Sequence, residues 1–246
     1  MNPDKKFLIF IKVLYSVKSV IEKCNNYKNS ILKNLGREDL RTKCYDALVD
    51  YLEYYSCIMA LILNSNQPKD RIKRWIPKAW KQLLISILSV IEYSMRNIIK
   101  CYPSSTLYLK LSEWNRRGRK IYLKDVINIS HDLGIIDEEG KNNWLGIIEI
   151  RNLLIHNNAI CESEESLSIS DLEIKMEKGK PIKMNFQTLL RLIEITIDGF
   201  HEWNRSMLDN YGKDTTTFEI WSDTLEEEDY MEYVKKLRKQ IFGRYD

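Results

Sequence analysis

Nine glycines and five prolines are spread over 246 residues so that long runs contain neither. No helix-breaking residue falls between Pro3 and Gly36, between Gly36 and Pro68, or between Pro77 and Pro103. Sandwiches and barrels need turn residues every few positions, so this spacing selects helices. A hydrophobic content of 44% is enough to bury a core. The apolar residues recur at helical intervals wherever the breakers are absent. The expected fold class is therefore all-α.

The first helix is read over 5–34, with Leu8, Ile11, Leu14, Val17 and Ile21 on its apolar side and Gly36 as its stop. A second runs over 38–64, with Tyr45, Leu48, Leu52, Tyr55 and Met59 on one face. Asn64-Ser65-Asn66-Gln67-Pro68 is the clearest breaker. It divides the chain into an N-terminal helical hairpin (1–66), a helical bundle (70–210) and a tail (211–246). A third helix follows Pro77 to about Cys101, apolar at Leu83, Leu84, Ile87, Leu88, Ile91 and Met95. On it, Glu92 and Arg96 form an i,i+4 pair. A basic turn, Trp114 to Lys120, precedes a short helix at Leu123–Leu133, stopped by Gly134. Asp137 is an N-cap for the helix that follows. Alternation at Leu167, Ile169, Leu172, Ile174 and Met176, then at Ile182 and Met184, reads as a small β-hairpin turning at Lys178–Pro181. A thick apolar stripe returns over Phe186–Trp203. A last helix, near Leu225–Phe242, starts acidic and ends basic, as the helix dipole prefers.

A net charge of +3 argues neither for nor against nucleic acid. Cys24, Cys44, Cys57, Cys101 and Cys161 are odd in number, widely spaced and without a C-x-x-C. They read as reduced, buried thiols of a cytoplasmic protein. His131, His156 and His201 have no ligand spacing, so no metal and no cofactor is expected. Lys5-Lys6 and Phe7–Ile11 imitate a signal peptide, but Lys12 interrupts the apolar run and no cleavage site follows. No apolar run approaches about 18 residues, so no membrane span is expected.

The most unusual string is Arg151-Asn152-Leu153-Leu154-Ile155-His156-Asn157, four polar residues closing an apolar helix. A buried Arg or Asn needs its hydrogen bonds met, and here both stand near a histidine, the side chain that titrates near neutrality. At about 100° per residue, Glu149, Asn152 and His156 share one stripe, whereas Arg151 projects roughly 140° from His156. Spacing alone therefore does not join Arg151 to His156. On spacing alone, Asn152 could equally brace a neighbouring helix and His156 act as a C-terminal cation. Arg116, Arg117, Arg119 and Lys120 beside Trp114 could grip RNA phosphate while the indole stacks a base, or form a plain solvated turn.

The string Ile150–Asn157 resembles the signature of the HEPN superfamily, helical bundles in which an Arg, usually followed by Asn, precedes a His by four to six residues. The likeness extends over roughly 70–210: a core helix with Glu92 and Arg96, a short helix ending Leu133-Gly134-Ile135-Ile136, the signature helix, then a long apolar helix. The resemblance implies a metal-independent endoribonuclease with Arg151 and His156 as the catalytic pair. Asn152 would orient them, and Glu92, Arg96 and Glu149 would support them. It implies a homodimer with two such pairs across a two-fold cleft, and RNA cleaved to a 2′,3′-cyclic phosphate. It further implies a toxin or antiviral, abortive-infection role, with an antitoxin or sensor protein as a further partner. Small HEPN toxins often carry a Tyr two residues after the His. Asn158 stands there in this chain, which speaks against silencing by tyrosine modification. The alternative is a non-catalytic HEPN module that binds RNA or a protein partner.

Overall fold

The computed structural model describes residues 3–33, 35, 39–65, 67–156 and 159–212, with side chains from Tyr15 onward. Gly36, Asn157, Asn158 and the helix expected near 225–242 lie outside the described residues. Seven helices and one two-stranded sheet follow in order: α1 (Pro3–Leu32), α2 (Leu40–Asn64), α3 (Lys69–Lys100), α4 (Thr106–Arg116), α5 (Leu123–Asp132), α6 (Glu138–His156), β1 (Glu165–Ile169), β2 (Leu172–Met176) and α7 (Phe186–Tyr211). The described residues are thus overwhelmingly helical, as the breaker spacing requires.

Side chains at the helix starts satisfy amides that the helix itself cannot. Asp39 accepts from the Arg41 amide (2.9 Å), Ser105 from Tyr108 (3.1 Å), Asp137 from Gly140 (2.7 Å) and Asn185 from Thr188 (2.8 Å). α2, α3 and α7 bury the stripes read from the sequence, whereas the side chains of Leu8, Ile11 and Leu14 lie outside the described residues. Tyr45, Leu48, Leu52 and Met59 of α2, Leu83 to Met95 of α3, and Leu189 to Phe200 of α7 join one core running from Val17 to Met207. α1 packs on α2 and α7, α2 on α3, and α3 also on α4 to α7. No described helix is long and apolar enough to cross a membrane.

Four local expectations are corrected. First, α3 begins at Lys69, eight residues before the Pro77 that the expected helix was to follow. Pro77 lies inside it, on a solvent-exposed face where the carbonyl it leaves without a donor can be hydrated. Second, the basic turn is partly helix: Trp114, Asn115 and Arg116 form the last turn of α4, an element the sequence reading left out. Third, the hairpin turns at Ser170-Asp171, with Ile169 opposite Leu172, and not at Lys178–Pro181. Ser170 takes a positive φ of 52°, held by its amide donating to Asn143 of α6 (2.6 Å). Lys178–Pro181 instead folds back on residues 159–161, with Ile160 bridging Pro181. Fourth, α7 runs on past Trp203 to Tyr211.

Gly146 lets the hairpin seat on α6. A Cβ there would lie 2.7 Å from Ile169 Cγ1. At the other end of the bundle, Arg41 is buried, its guanidinium held by both oxygens of Asp39 (2.7 and 2.8 Å) and donating to Tyr102 Oη (2.5 Å). Tyr102 donates in turn to the carbonyl of Gly212 (3.2 Å). One guanidinium thus ties the start of α2 to the ends of α3 and α7.

His201 of α7 is packed between α1 and α2. Its ring stacks on Tyr27 (3.8 Å between centroids, 3° between planes), and Nδ1 lies 2.9 Å from the Tyr45 hydroxyl. Burial, then the Arg205 charge, push its pKa down to about 4 against the weaker opposing pull of Asp198. Folded His201 is therefore neutral, whereas the unfolded chain takes up a proton here below about pH 6.5. Stability is lost as the pH falls from 6.5 towards 4, by at most about 3 kcal/mol. Unfolding free energies from urea titrations at pH 7 and 4.5 should differ more for the wild type than for His201→Gln, by about 2–3 kcal/mol.

Candidate functional site

Arg151 to His156 of the string that dominates the sequence form the last turns of α6. Trp144, Ile147, Ile150 and Leu154 of that helix are buried in the core. This anchoring turns Arg151 towards α3. Its Nη2 lies 3.4 Å from Glu92 Oε2, and the two side chains are 24% and 15% exposed. The distance is that of an ion pair, longer than a good hydrogen bond. Arg151 Nε is buried and has no hydrogen-bond partner among the described residues. The guanidinium is thus neutralised but incompletely satisfied, an unusual state for a native buried donor.

Asn152 and His156 are exposed. His156 is the basic residue of the last α6 turn, where the helix dipole favours positive charge. Ile155, the residue before it, is 39% exposed, and Ile160 is 44% exposed. Beyond the helix, the Ala159 amide donates to the Leu153 carbonyl (3.0 Å) and the Ile182 amide to the Ala159 carbonyl (2.7 Å). The chain leaving the site is therefore pinned on both sides. Arg151 and His156 make no contact within one chain among the described residues, as the roughly 140° between them on an ideal helix requires.

The supporting residues separate. Glu92 joins Arg151 across the helices instead of pairing with Arg96, which is exposed on α3. Glu149 lies on the opposite side of α6 from Arg151, in a hollow shared with Leu167 and Ser168 of the hairpin. Burial there, with help from Glu165, raises its carboxyl pKa against the pull of Lys124. Nothing in the sequence spacing disclosed the Glu92–Arg151 pair. The available signal was a lone carboxylate among the buried apolar residues of α3.

At the α4 end, two of the four cations are already engaged. Arg117 pairs with Glu113 (2.5 Å) and Arg119 with Asp125 (2.6 Å). The Arg119 guanidinium also lies 4.0 Å over the Trp114 ring, covering a face that a base would need. Arg116 and Lys120 are exposed. The other histidines are structural in their contacts: His131 Nε2 meets Glu138 (2.8 Å), clamping α5 to α6, and His201 lies in the core. Among the described residues, no three His, Cys, Asp or Glu side chains converge to share a metal ion. The five cysteines are buried, and none forms a disulfide among the described residues. Burial pushes the Cys24 and Cys44 thiols up to about 12, far from a reactive thiolate.

The Glu92–Arg151 pair lies between an exposed and a fully buried ion pair, so its coupling energy should be about 1–2 kcal/mol. A double-mutant cycle on Glu92→Ala and Arg151→Ala, read by urea unfolding, measures it. Additive losses would show that the two charges do not interact.

Comparison of the chain with protein-family models, with curated proteins and with solved structures finds no match among any of them.

Proposed function

We propose that this chain is a HEPN-type, metal-independent endoribonuclease acting as a homodimer in toxin or antiviral defence. The observation that carries the reading is Arg151. It is a half-buried guanidinium aligned by Glu92, with hydrogen-bonding capacity that the described residues do not fill, five residues before an exposed histidine. An unsatisfied buried donor costs about 1–3 kcal/mol, and such strain is commonly kept where a ligand completes the site.

The chemistry follows from the residue types. His156 of one protomer takes the proton of a ribose 2′-hydroxyl. The 2′-oxygen bonds to phosphorus while the bond to the 5′-oxygen breaks. The second histidine gives a proton to that leaving oxygen. Arg151 stabilises the negative charge that grows on the non-bridging oxygens. The products are a 2′,3′-cyclic phosphate and a 5′-hydroxyl. Because Arg151 and His156 diverge on one helix, a two-fold arrangement supplies what a single chain lacks. The exposed Ile155, next to His156 in the chain, is apolar surface that such an interface would cover.

One observation favours the alternative, a non-catalytic module that binds RNA or a protein. The Arg151 charge is already balanced by Glu92. Activity separates the two readings. Wild-type protein in EDTA should cleave a mixed RNA pool and leave cyclic-phosphate ends. His156→Ala should lower the rate about 10²–10⁴-fold, the usual worth of a general acid–base group, and Arg151→Ala comparably, with both variants folded. RNA binding without cleavage would establish the module instead. Ile155→Asp should yield a folded monomer by light scattering and lose cleavage with dimerisation. An active monomer would sink the composite site.

A further inference from the structure

The first turns of α3 carry a surface that none of the sequence-derived RNA contacts includes. Between residues 69 and 81 stand Lys69, Arg71, Lys73, Arg74, Lys78 and Lys81, against the single carboxylate of Asp70. All are exposed except Lys81, which is partly so. None forms an ion pair among the described residues. Arg71 donates to the Gln67 side-chain oxygen (3.0 Å) and Arg74 to the Asp70 carbonyl (3.2 Å), contacts that orient the guanidinium groups without neutralising them. Arg117 and Arg119, by contrast, are matched by carboxylates. Trp75 stands among these cations, 38% exposed.

Cations and an open indole suit either a nucleic acid or a bilayer surface, and burial decides between them. An amphipathic helix enters a bilayer through a free apolar face. Here Ile72, Ala79 and Trp80 of that face are buried in the bundle. What remains outside is charge plus one aromatic plane, the combination that holds a phosphate backbone while an unpaired base stacks.

The surface also leads somewhere. Arg74 and Glu92 are 18 residues apart on α3, five full turns, so on an ideal helix they point the same way about 27 Å apart. Between them α2 and α3 enclose a groove of about 390 Å³, lined by Gln82, Ser86, Ser89 and Tyr93 of α3 and by Tyr51 across from them. Tyr93, 48% exposed, adjoins Glu92, the partner of Arg151. At a stacked spacing of about 3.4 Å the path holds at most about eight nucleotides.

We propose that this side of α3 is a track for single-stranded RNA, anchored at Arg71, Arg74, Trp75 and Lys78 and delivering the strand past Tyr93 to Arg151. The proposal rests on the endoribonuclease reading for its RNA substrate. Its test is chosen to stand apart from cleavage. In full-length His156→Ala, a 5′-labelled, mixed-sequence 20-nucleotide RNA is titrated by fluorescence anisotropy from low to moderate salt. Adding Arg71→Ala, Arg74→Ala and Lys78→Ala together should weaken binding at least tenfold and flatten the log–log salt slope by about 2, for three lost phosphate contacts. Adding Trp75→Ala should weaken it about fivefold or more with the slope unchanged. Removing three other exposed cations, Lys33, Lys175 and Lys178, should change little. Equal losses from both triple variants, or none from the α3 triple, overturn the track. So does loss of binding to phosphatidylserine vesicles in the α3 triple while its RNA affinity is unchanged. Track-dependent binding by a wild type that does not cleave upholds the track and refutes the nuclease. Cleavage indifferent to the α3 triple does the reverse.

Discussion

α3 buries one continuous stripe, from Leu83 through Ile87, Ile91 and Met95 to Ile98, and α2 and every helix from α4 to α7 pack against α3. Such a stripe fixes the rotation of the helix about its own axis, because turning it by one residue would bring charged side chains into the core. With rotation fixed, Glu92 can only face the flank on which α6 lies. α6 is oriented in the same way by Trp144, Ile147, Ile150 and Leu154. The Glu92–Arg151 contact is therefore a consequence of two apolar seams. The ion pair is a weak contributor to stability, so its position is better explained by what the seams impose than by what the pair itself adds.

The same logic sets how far the chain could be read in advance. Where a helix has one buried stripe and clean ends, period and caps were enough: α2, α5, α6 and α7 begin within two residues of the positions read from sequence. Three features defeated that reading, each for a local reason. Pro77 is tolerated inside α3 because its side of the helix is hydrated. The hairpin turn was placed at Gly179, which has a positive φ (73°) and the composition of a turn. The chain instead reverses at Ser170, held at positive φ by a hydrogen bond that its amide donates to a different element, Asn143 of α6, which no local pattern can announce. α4 buries only Leu107 and Leu111, too few apolar positions for a period to emerge.

The candidate site was legible as a list and illegible as an arrangement. Arg151, Asn152 and His156 were singled out by their polarity among apolar neighbours, and helical geometry alone separates Arg151 from His156. Glu92 was noted too, but with the partner one turn away on its own helix. The i,i+4 rule describes isolated helix surfaces. In a bundle the carboxylate also has the facing helix to choose, and a half-buried guanidinium gains more from it than a solvated Arg96 would.

Charge at the surface follows a related rule. Residues 116–120 look basic in sequence, yet Glu113 and Asp125 lie within reach of Arg117 and Arg119 and cancel much of their field. Residues 69–81 look like an unremarkable helix start, yet their one carboxylate leaves five charges uncompensated along an exposed helix side. A polyanion responds to the net potential of a face and to its continuity over several phosphates. On that criterion the start of α3 outranks the α4 turn. Its alignment with Glu92, five turns along the same helix, points that uncompensated charge towards the Glu92–Arg151 pair.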